Sequence, residues 1–487
     1  MTAALPLLIL MTSLVPAVLG FFVAQESHVL RNTLNLGGAL LKLGLIVAML
    51  VAVAGGASYE SEVPLAPGLV LLLRVDALAL LFVSLSATLW LLTTLYAIRY
   101  FGAKAELSRF FGFFSLCVAA TTGIALSGSL ISFFIFFELL TLSTWPLVAH
   151  KQDGASLRAA RVYLAYALPG SVALLWAIIW LESSTGPVLF TDPPDLSVLD
   201  PNALRAIFVL FILGLGVKAA VIPLHGWLPT AMAAPAPVSA LLHAVAVVKA
   251  GAFGMVRIIY DVFGSEQMVA LGLSVPLAAL ASATILWGSI RALQQDEIKK
   301  RLAFSTVSQV SYILLGAALA SPLAMIGGLV HLVHQGLMKI TLFFCAGIYD
   351  EQAGIKRIEE LDGMGARMPW TSACFSLGAM GMIGLPPLAG FVSKFYLALG
   401  GIEAGAPWVL GVLAGSTLLN AAYFLPLLHR LWFRPARADA GGSEAAPALI
   451  LPAVVTAAGS LGVGLLAASD LSPLGWANLI VMRDYVP

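Results

Sequence analysis

Residues 213–229 read LGLGVKAAVIPLHGWLP and residues 381–395 read GMIGLPPLAGFVSKF. Each is an apolar run carrying one lysine, Lys218 or Lys394, and each is interrupted by proline, Pro223 in the first and Pro386 with Pro387 in the second. Proline removes a backbone donor and frees a carbonyl. At membrane depth such a break persists only where protein or water satisfies the freed group, so each one predicts a hydrated pocket beside a lysine. A pair of Gly/Pro-broken spans at corresponding places in two halves of a chain is the sequence pointer to inverted repeats with an ion site at the breaks. The expected fold class is therefore an all-α polytopic membrane protein of about 14 transmembrane helices, with two inverted repeats of five helices, each containing a broken helix.

Composition supports the membrane reading. Of 487 residues 60% are hydrophobic and 10% charged, and the mean hydropathy is +0.97. A soluble domain has about 45–50% apolar and about 25% charged residues, so this chain could not cover a water-facing surface of its own size. The net charge of +1 gives no basic excess that would point to nucleic acid. Cys117, Cys345 and Cys374 are far apart in apolar stretches, so no iron–sulfur, zinc or disulfide framework is predicted. The first basic residue, Arg31, follows a long apolar run from Leu5, the wrong order for a secretory signal, and that run is expected to be a retained first span.

Apolar runs separated by polar breaks fall at 5–24, 34–54, 75–97, 110–127, 129–149, 162–181, 204–228, 236–259, 268–290, 302–320, 323–348, 370–399, 408–432 and 447–469. They divide the chain into spans 1–3 (residues 1–105), a first repeat (106–262), a second repeat (263–435) and a last span with a short tail (436–487). Loops after odd-numbered spans hold seventeen Lys and Arg, among them Arg99, Lys104, Arg109, Lys151, Lys299, Lys300, Arg301 and Lys356. The other side holds four, Arg74, Arg205, Arg257 and Arg483. The positive-inside rule then puts the odd loops in the cytoplasm and both termini on the outer, periplasmic side of the cell inner (plasma) membrane.

Five basic residues remain inside spans: Lys42, Lys218, Lys249, Lys339 and Lys394. Opposite them stands one mid-span acid, Glu138, with Asp76 at the outer start of the third span. A charged group at a helix centre costs roughly 2.5–3.5 kcal/mol, so four central lysines and Glu138 would cost on the order of 15 kcal/mol if unpaired. They must be paired or wet. Burial and a nearby carboxylate push a lysine's proton affinity in opposite directions, so a Glu138–lysine contact made or broken would switch that lysine between holding and releasing a proton. Lys42 lies near the end of its predicted span, where snorkelling to the interface is expected.

In GLVHLVHQGLMKITLFFCAG, His331, Gln335 and Lys339 stand at i, i+4 and i+8 on one helical face, with His334 one turn from His331. His243 precedes Lys249 by six residues. Histidine exchanges protons near neutral pH, so His243, His331 and His334 are candidate relays between the lysines. The plainer reading of Glu138 and the lysines is static salt bridges between helices, and of the histidines, hydrogen-bonded core groups. The charge run QQDEIKKRLAFS reads as a solvated cytoplasmic loop, with a partner surface as the alternative. GLGVKA lacks the third glycine of a nucleotide loop, there is no Walker motif, and HLVH lacks carboxylate partners, so no cofactor or metal is expected in this chain.

Taken together, FFELLTLSTWPLVAH, VKAAVIPLHGWLPTAMAAPAPVSALLHAVAVVKAGAFGMVR, DEIKKRLAFSTVSQVSYILLG, HQGLMKITLFFCAG and GMIGLPPLAGFVSKF resemble the antiporter-like proton-translocating subunits over roughly residues 70–430. That family includes the D-type component of Mrp-type multisubunit cation/proton antiporters, the antiporter-like membrane-arm subunits of respiratory complex I, and counterparts in membrane-bound hydrogenases. The resemblance implies that Glu138 and Lys218 form a controlling pair, that Lys249 and Lys339 connect, and that Lys394 is the terminal residue of the second broken span. It implies two half-channels, one open to each side, joined by a central hydrophilic axis. His334 followed by Gln335 departs from the family's usual histidine after asparagine, which leaves open which histidine relays. A lysine at 394 resembles the Mrp D-type component and some complex I subunits, and the chain's end about 18 residues after the last span tells against the largest members with their long lateral helix.

The expected function is a proton-translocating subunit of a multisubunit Na+/H+ antiporter, partnered by other membrane subunits, with protons, and sodium as the candidate counter-ion, as cargo and the lipid bilayer as its surroundings. The alternative is a pump subunit of a complex I-type NADH:quinone oxidoreductase or a membrane-bound hydrogenase, with the redox chemistry in partner chains. A self-sufficient solute transporter is a third reading, disfavoured because no solute pocket is legible.

Overall fold

The computed structural model describes residues 4–102, 106–436 and 442–486. Lys104 lies outside them. The chain opens with α1 (Leu5–Phe22) and α2 (His28–Ala54). An antiparallel hairpin follows, β1 (Tyr59–Ala66) with β2 (Leu69–Val75), Tyr59 opposite Val75 and Val63 opposite Leu71. The hairpin replaces the plain loop implied by the span count. Its signal is in YESEVPLAPGLVLLLRV, where Pro67-Gly68 separates two strand-forming runs and Gly68 takes the positive φ of +78°.

Next come α3 (Ala77–Phe101), α4 (Leu107–Leu126), α5 (Leu130–Val148) and α6 (Gly154–Thr185). Side-chain caps define the starts of α3, α5 and α6: Asp76 accepts from the Ala79 amide at 2.7 Å, Ser129 from Ser132, and Asp153 from Ser156 at 2.7 Å. The first broken span is α7 (Pro201–Ala219), an irregular segment, and α8 (Trp227–Thr230). Span 236–263 is built of α9 (Ala236–Ala240), a π segment (Leu241–Val245), α10 (Val247–Arg257) and a second π segment (Ile258–Phe263).

The second half runs α11 (Ser265–Ala270), α12 (Ser274–Leu293), α13 (Ile298–Ala318), α14 (Pro322–Ala353) and α15 (Met364–Arg367). Its broken span is α16 (Pro369–Ile383) and α17 (Ala389–Glu403), followed by α18 (Trp408–Phe433), α19 (Pro447–Leu465) and α20 (Pro473–Ile480). Twelve helices among the described residues are long and apolar enough to cross a membrane. The remaining predicted spans are the 21-residue α13, which begins with Lys299, Lys300 and Arg301, and the α16–α17 pair, halved by its prolines.

The two breaks are built alike. Helix α7 ends on Ala220 in the left-handed region (φ +57°) before a cis Ile222–Pro223 bond, and α16 ends on Gly384 (φ +94°) before a cis Pro386–Pro387 bond. Span 236–263 and α14 are buried almost throughout, whereas α2, α18 and α19 expose apolar side chains such as Val51, Leu418 and Leu451. A helix apolar all round belongs inside, and α14 packs on α13, α16, α17 and α19.

Three charges placed in loops by the sequence reading, Arg257, Arg31 and Arg301, are buried in helices. Arg257 sits inside α10, 3% exposed, bonded to Asp76 and Asp261 at 2.9 and 2.8 Å, with Tyr485 donating to Asp261 at 2.7 Å. Arg31 lies in the first turn of α2, bonded to Ser108 and His28. The run QQDEIKKRLAFS is a loop only as far as Glu297. From Ile298 it is helix α13, and Arg301 folds inward to donate to the Gln295 and Tyr423 carbonyls.

Candidate functional site

Glu138 lies on α5, half-buried, and accepts from Ser171 of α6 at 2.5 Å. Lys218 occupies the last turn of α7, where the break begins. Its ammonium donates to the Phe137 carbonyl, one residue before Glu138, and stands 3.3 Å from the centroid of the Phe137 ring. The two side chains are neighbours within electrostatic reach, yet among the described residues they form no ion pair. Trp227, beyond the break, donates to the Val217 carbonyl at 2.7 Å and so occupies an acceptor that the broken helix leaves free.

Gly251 brings the next helix close. A Cβ there would meet the Leu215 carbonyl at 2.8 Å and the Lys218 backbone at 2.9 Å, so only glycine lets α10 lie against the end of α7. Two residues earlier, Lys249 reaches across to donate to the Leu332 carbonyl of α14 at 2.7 Å.

From α14 the polar groups diverge. His331 pairs through Nδ1 with Ser393 of α17 at 2.7 Å, next to Lys394, packs on the Tyr312 ring at 5.1 Å, and lies within electrostatic reach of Lys249 and Lys394. Lys339, predicted on the same face, turns instead to α13, where it donates to the Leu302 carbonyl at 2.9 Å and to Ser305. His334 is buried, and neither of its ring nitrogens has a protein partner. Lys394 reaches back over the second break to the Ile383 carbonyl at 2.8 Å, the Met382 carbonyl at 3.3 Å and Thr417 at 3.2 Å.

His243 sits in the π segment, its ring stacked on Phe343 at 4.5 Å, with both nitrogens lacking a protein partner. π segments recur at functional sites, but residues 241–245 look like ordinary helix in sequence. The buried amides of Gln309 and Gln335 also lack protein partners. Unpaired buried polar groups of this kind are costly unless water reaches them. Every membrane-interior group named from sequence is thus buried or half-buried, and the lysines are held mainly by carbonyls across helix boundaries.

Cavities open at both ends. At the hairpin end one of about 380 Å³ is lined by Asp76, Arg257, Asp261 and Tyr485. At the other end one of about 230 Å³ is lined by Lys151, Asp153, Lys299, Asp350 and Lys356. Sequence reading missed Asp261, whose partners Arg257 and Tyr485 are far from Asp76 in the chain.

Residues 127–420, more than half of the chain, match the family model described as NADH:quinone oxidoreductase/Mrp antiporter, TM. The chain belongs to this family. It is 34% identical to the NADH-quinone oxidoreductase N-type component of Desulforudis audaxviator over 89% of this chain and 87% of that one. It is 32% identical to the probable K+/H+ antiporter A/B component of Rhizobium meliloti, with 89% of this chain but 44% of that longer protein covered. It is 29% identical to the Na+/H+ antiporter D-type component of Bacillus subtilis, over 81% and 80% of the two chains. Among solved structures, a chain of the Mrp complex from Dietzia sp. matches with a TM-score of 0.87 at 24% identity, covering 99% of this chain and 98% of that one, which fixes the shared fold. Glu138, Lys218, Lys249, Lys339 and Lys394 all lie within the family-matched region, as do His243, His331 and His334.

Proposed function

We propose that the chain is the proton-translocating subunit of a multisubunit Na+/H+ antiporter, set in the cell inner membrane with both termini outside. The observation that carries this reading is the row of buried lysines lodged against both helix breaks, with Glu138 as the neighbouring acid of the first. Two five-span repeats, 106–262 and 263–435, would each supply a half-channel at a break. Lys218 holds the proton and Glu138 sets its affinity. Lys249 and Lys339 relay, with His331 favoured over His243 and His334 as the relay histidine by its hydrogen bond to Ser393 beside Lys394, and Lys394 exchanges with the far side. The transmembrane potential supplies about 2.3 kcal/mol per charge per 100 mV, enough to make or break one such contact. No cofactor is assigned to this chain.

The test is Lys218→Ala and Lys394→Ala in the assembled complex. Both should abolish proton-coupled transport while the subunits still co-purify, and normal transport in either would remove the assigned role.

A second reading, a pump subunit of a redox enzyme, is favoured by the 34% identity to an oxidoreductase N-type component over most of both chains. It uses the same residues and differs in what drives them.

A further inference from the structure

Lys42 is not at a membrane interface. Helix α2 runs from His28 to Ala54, so Lys42 stands 14 residues from its start and 12 from its end, about 18 Å along the axis from the nearer one, beyond the reach of a snorkelling side chain. Its side chain is 0% exposed. Gly38, one turn earlier, lets α1 and α3 close over it, because a Cβ there would meet Pro16 at 2.8 Å and Trp90 at 3.3 Å.

The surroundings of this lysine differ from those of the other four. Lys218 and Lys249 donate to backbone carbonyls, which only accept, and Lys339 and Lys394 each to carbonyls and one hydroxyl. Lys42 alone of the five donates to hydroxyls and to no carbonyl among the described residues, to Ser13 of α1 at 2.8 Å and Thr122 of α4 at 2.6 Å, and its third side meets the Trp90 ring at 4.9 Å. A hydroxyl accepts from an ammonium and, after rotation, donates to a neutral amine. Both protonation states can therefore be hydrogen-bonded in place. Among the described residues no carboxylate lies within ion-pair distance to clamp the charge. Helix α1 carries no charged residue, and the charged residues of α3 and α4, Arg99 and Arg109, lie at the ends of those helices. Of the other titratable groups there, Tyr96 and Cys117 bond elsewhere, to the Phe344 carbonyl and to Ser143 of α5, and Tyr100 lies beside Arg99 at the end of α3.

Lys42 also ends a ladder. On the buried stripe of α2, Arg31, Asn35 and Lys42 face Ser108, Ser115 and Thr122, which recur every seven residues on α4. The rungs are Arg31 to Ser108 at 3.3 Å, Ser115 to Asn35 at 2.5 Å, and Lys42 to Thr122 at 2.6 Å. The ladder runs from the Arg31 end of the helix, the end the charge asymmetry assigns to the cytoplasm, to the middle of the span.

We propose that Lys42 is a further proton-holding residue, outside the axis of the two breaks, seated at the inner end of the polar seam between α2 and α4. This rests on the proton-translocation reading. The alternative role for a buried lysine is a fixed cation that fastens α1, α2 and α4, and arginine separates the two, since it keeps the charge but does not release a proton.

The experiment uses the whole complex in proteoliposomes and compares Lys42→Met, Lys42→Arg and Lys218→Met with the unmodified protein across a pH series. The expected result is assembled complex in all cases, transport about tenfold slower in both Lys42 variants, and a pH–rate profile that loses one limb in each. Rescue by Lys42→Arg, or unmodified transport in Lys42→Met beside an inactive Lys218→Met, overturns the role of Lys42 alone. Unmodified transport in Lys218→Met overturns the underlying reading, and this proposal with it. Where Lys42→Met fails to assemble, the Ser13→Ala/Thr122→Val pair keeps the lysine but removes its reversible partners. Slower transport in that pair supports the proposal, and unmodified transport overturns it.

Discussion

His331 and His334 stand one turn apart on α14, and sequence alone offers no ground for choosing between them. The structure gives them different neighbours. His331 shares a hydrogen bond with Ser393 and lies near both Lys249 and Lys394, whereas neither ring nitrogen of His334 has a protein partner. A relay must stand within hydrogen-bond reach of a group that passes the proton. His331→Ala is therefore expected to slow proton transport about a hundredfold and His334→Ala by less than about threefold. Transport rates of the two variants in reconstituted complex check this, and the reverse order would move the relay to His334. Lys42 carries a similar lesson, since a helix start misjudged by a few residues turns a buried mid-helix lysine into an apparent interfacial one.

At the scale of elements, the fold is fastened at the hairpin end by a knot of charges. Arg257 of α10 holds Asp76 at the start of α3 and Asp261 in the following π segment, and Tyr485 brings the C-terminal segment onto Asp261. Trp476 of α20 adds a bond to the Ala77 carbonyl, and Arg483 one to the Val53 carbonyl at the end of α2. Removing one partner of a buried ion pair strands the others. Arg257→Ala should therefore cost about 3–5 kcal/mol, while the triple variant Arg257→Met/Asp76→Asn/Asp261→Asn should cost less. Thermal unfolding of the detergent-solubilised protein measures both, and an Arg257→Ala protein as stable as the unmodified one would show that the knot contributes little. The broken spans are the other element-scale device: Lys218 sits just before the first break, and Lys394 reaches back across the second to the last carbonyls of α16.

The whole molecule presents a wide apolar flank, including Leu142 and Trp145 of α5, 61% and 40% exposed, on the helix that carries the half-buried Glu138. An acid near a lipid-facing surface is costly, and a neighbouring membrane subunit lying over α5 would shield it. Affinity purification of the tagged chain from its native membrane in mild detergent should recover further membrane subunits. An accompanying set of small membrane proteins without chromophore fits the antiporter reading. Flavin, iron–sulfur or nickel proteins in the eluate would make the chain the pump arm of a redox enzyme. Recovery of the chain alone, active in liposomes, would contradict both.

The membrane class, the two proline breaks and the buried charges at Glu138, Lys218, Lys249, Lys339 and Lys394 were legible in the chain before any folding, because hydropathy, proline and charge act locally and are visible in any window of about 20 residues. The hairpin at 59–75 was legible from its Pro-Gly turn but lay between stronger signals. Folding in three dimensions was needed to show that Lys249 reaches Leu332 while Lys339 turns to α13, that His331 meets Ser393, that Arg257 is buried between two aspartates, and that Lys42 lies at the end of a hydroxyl ladder. Each of those facts depends on which faces of distant helices meet. That is set by packing at positions such as Gly38 and Gly251, where the absence of a side chain carries the information and no local pattern announces its partner.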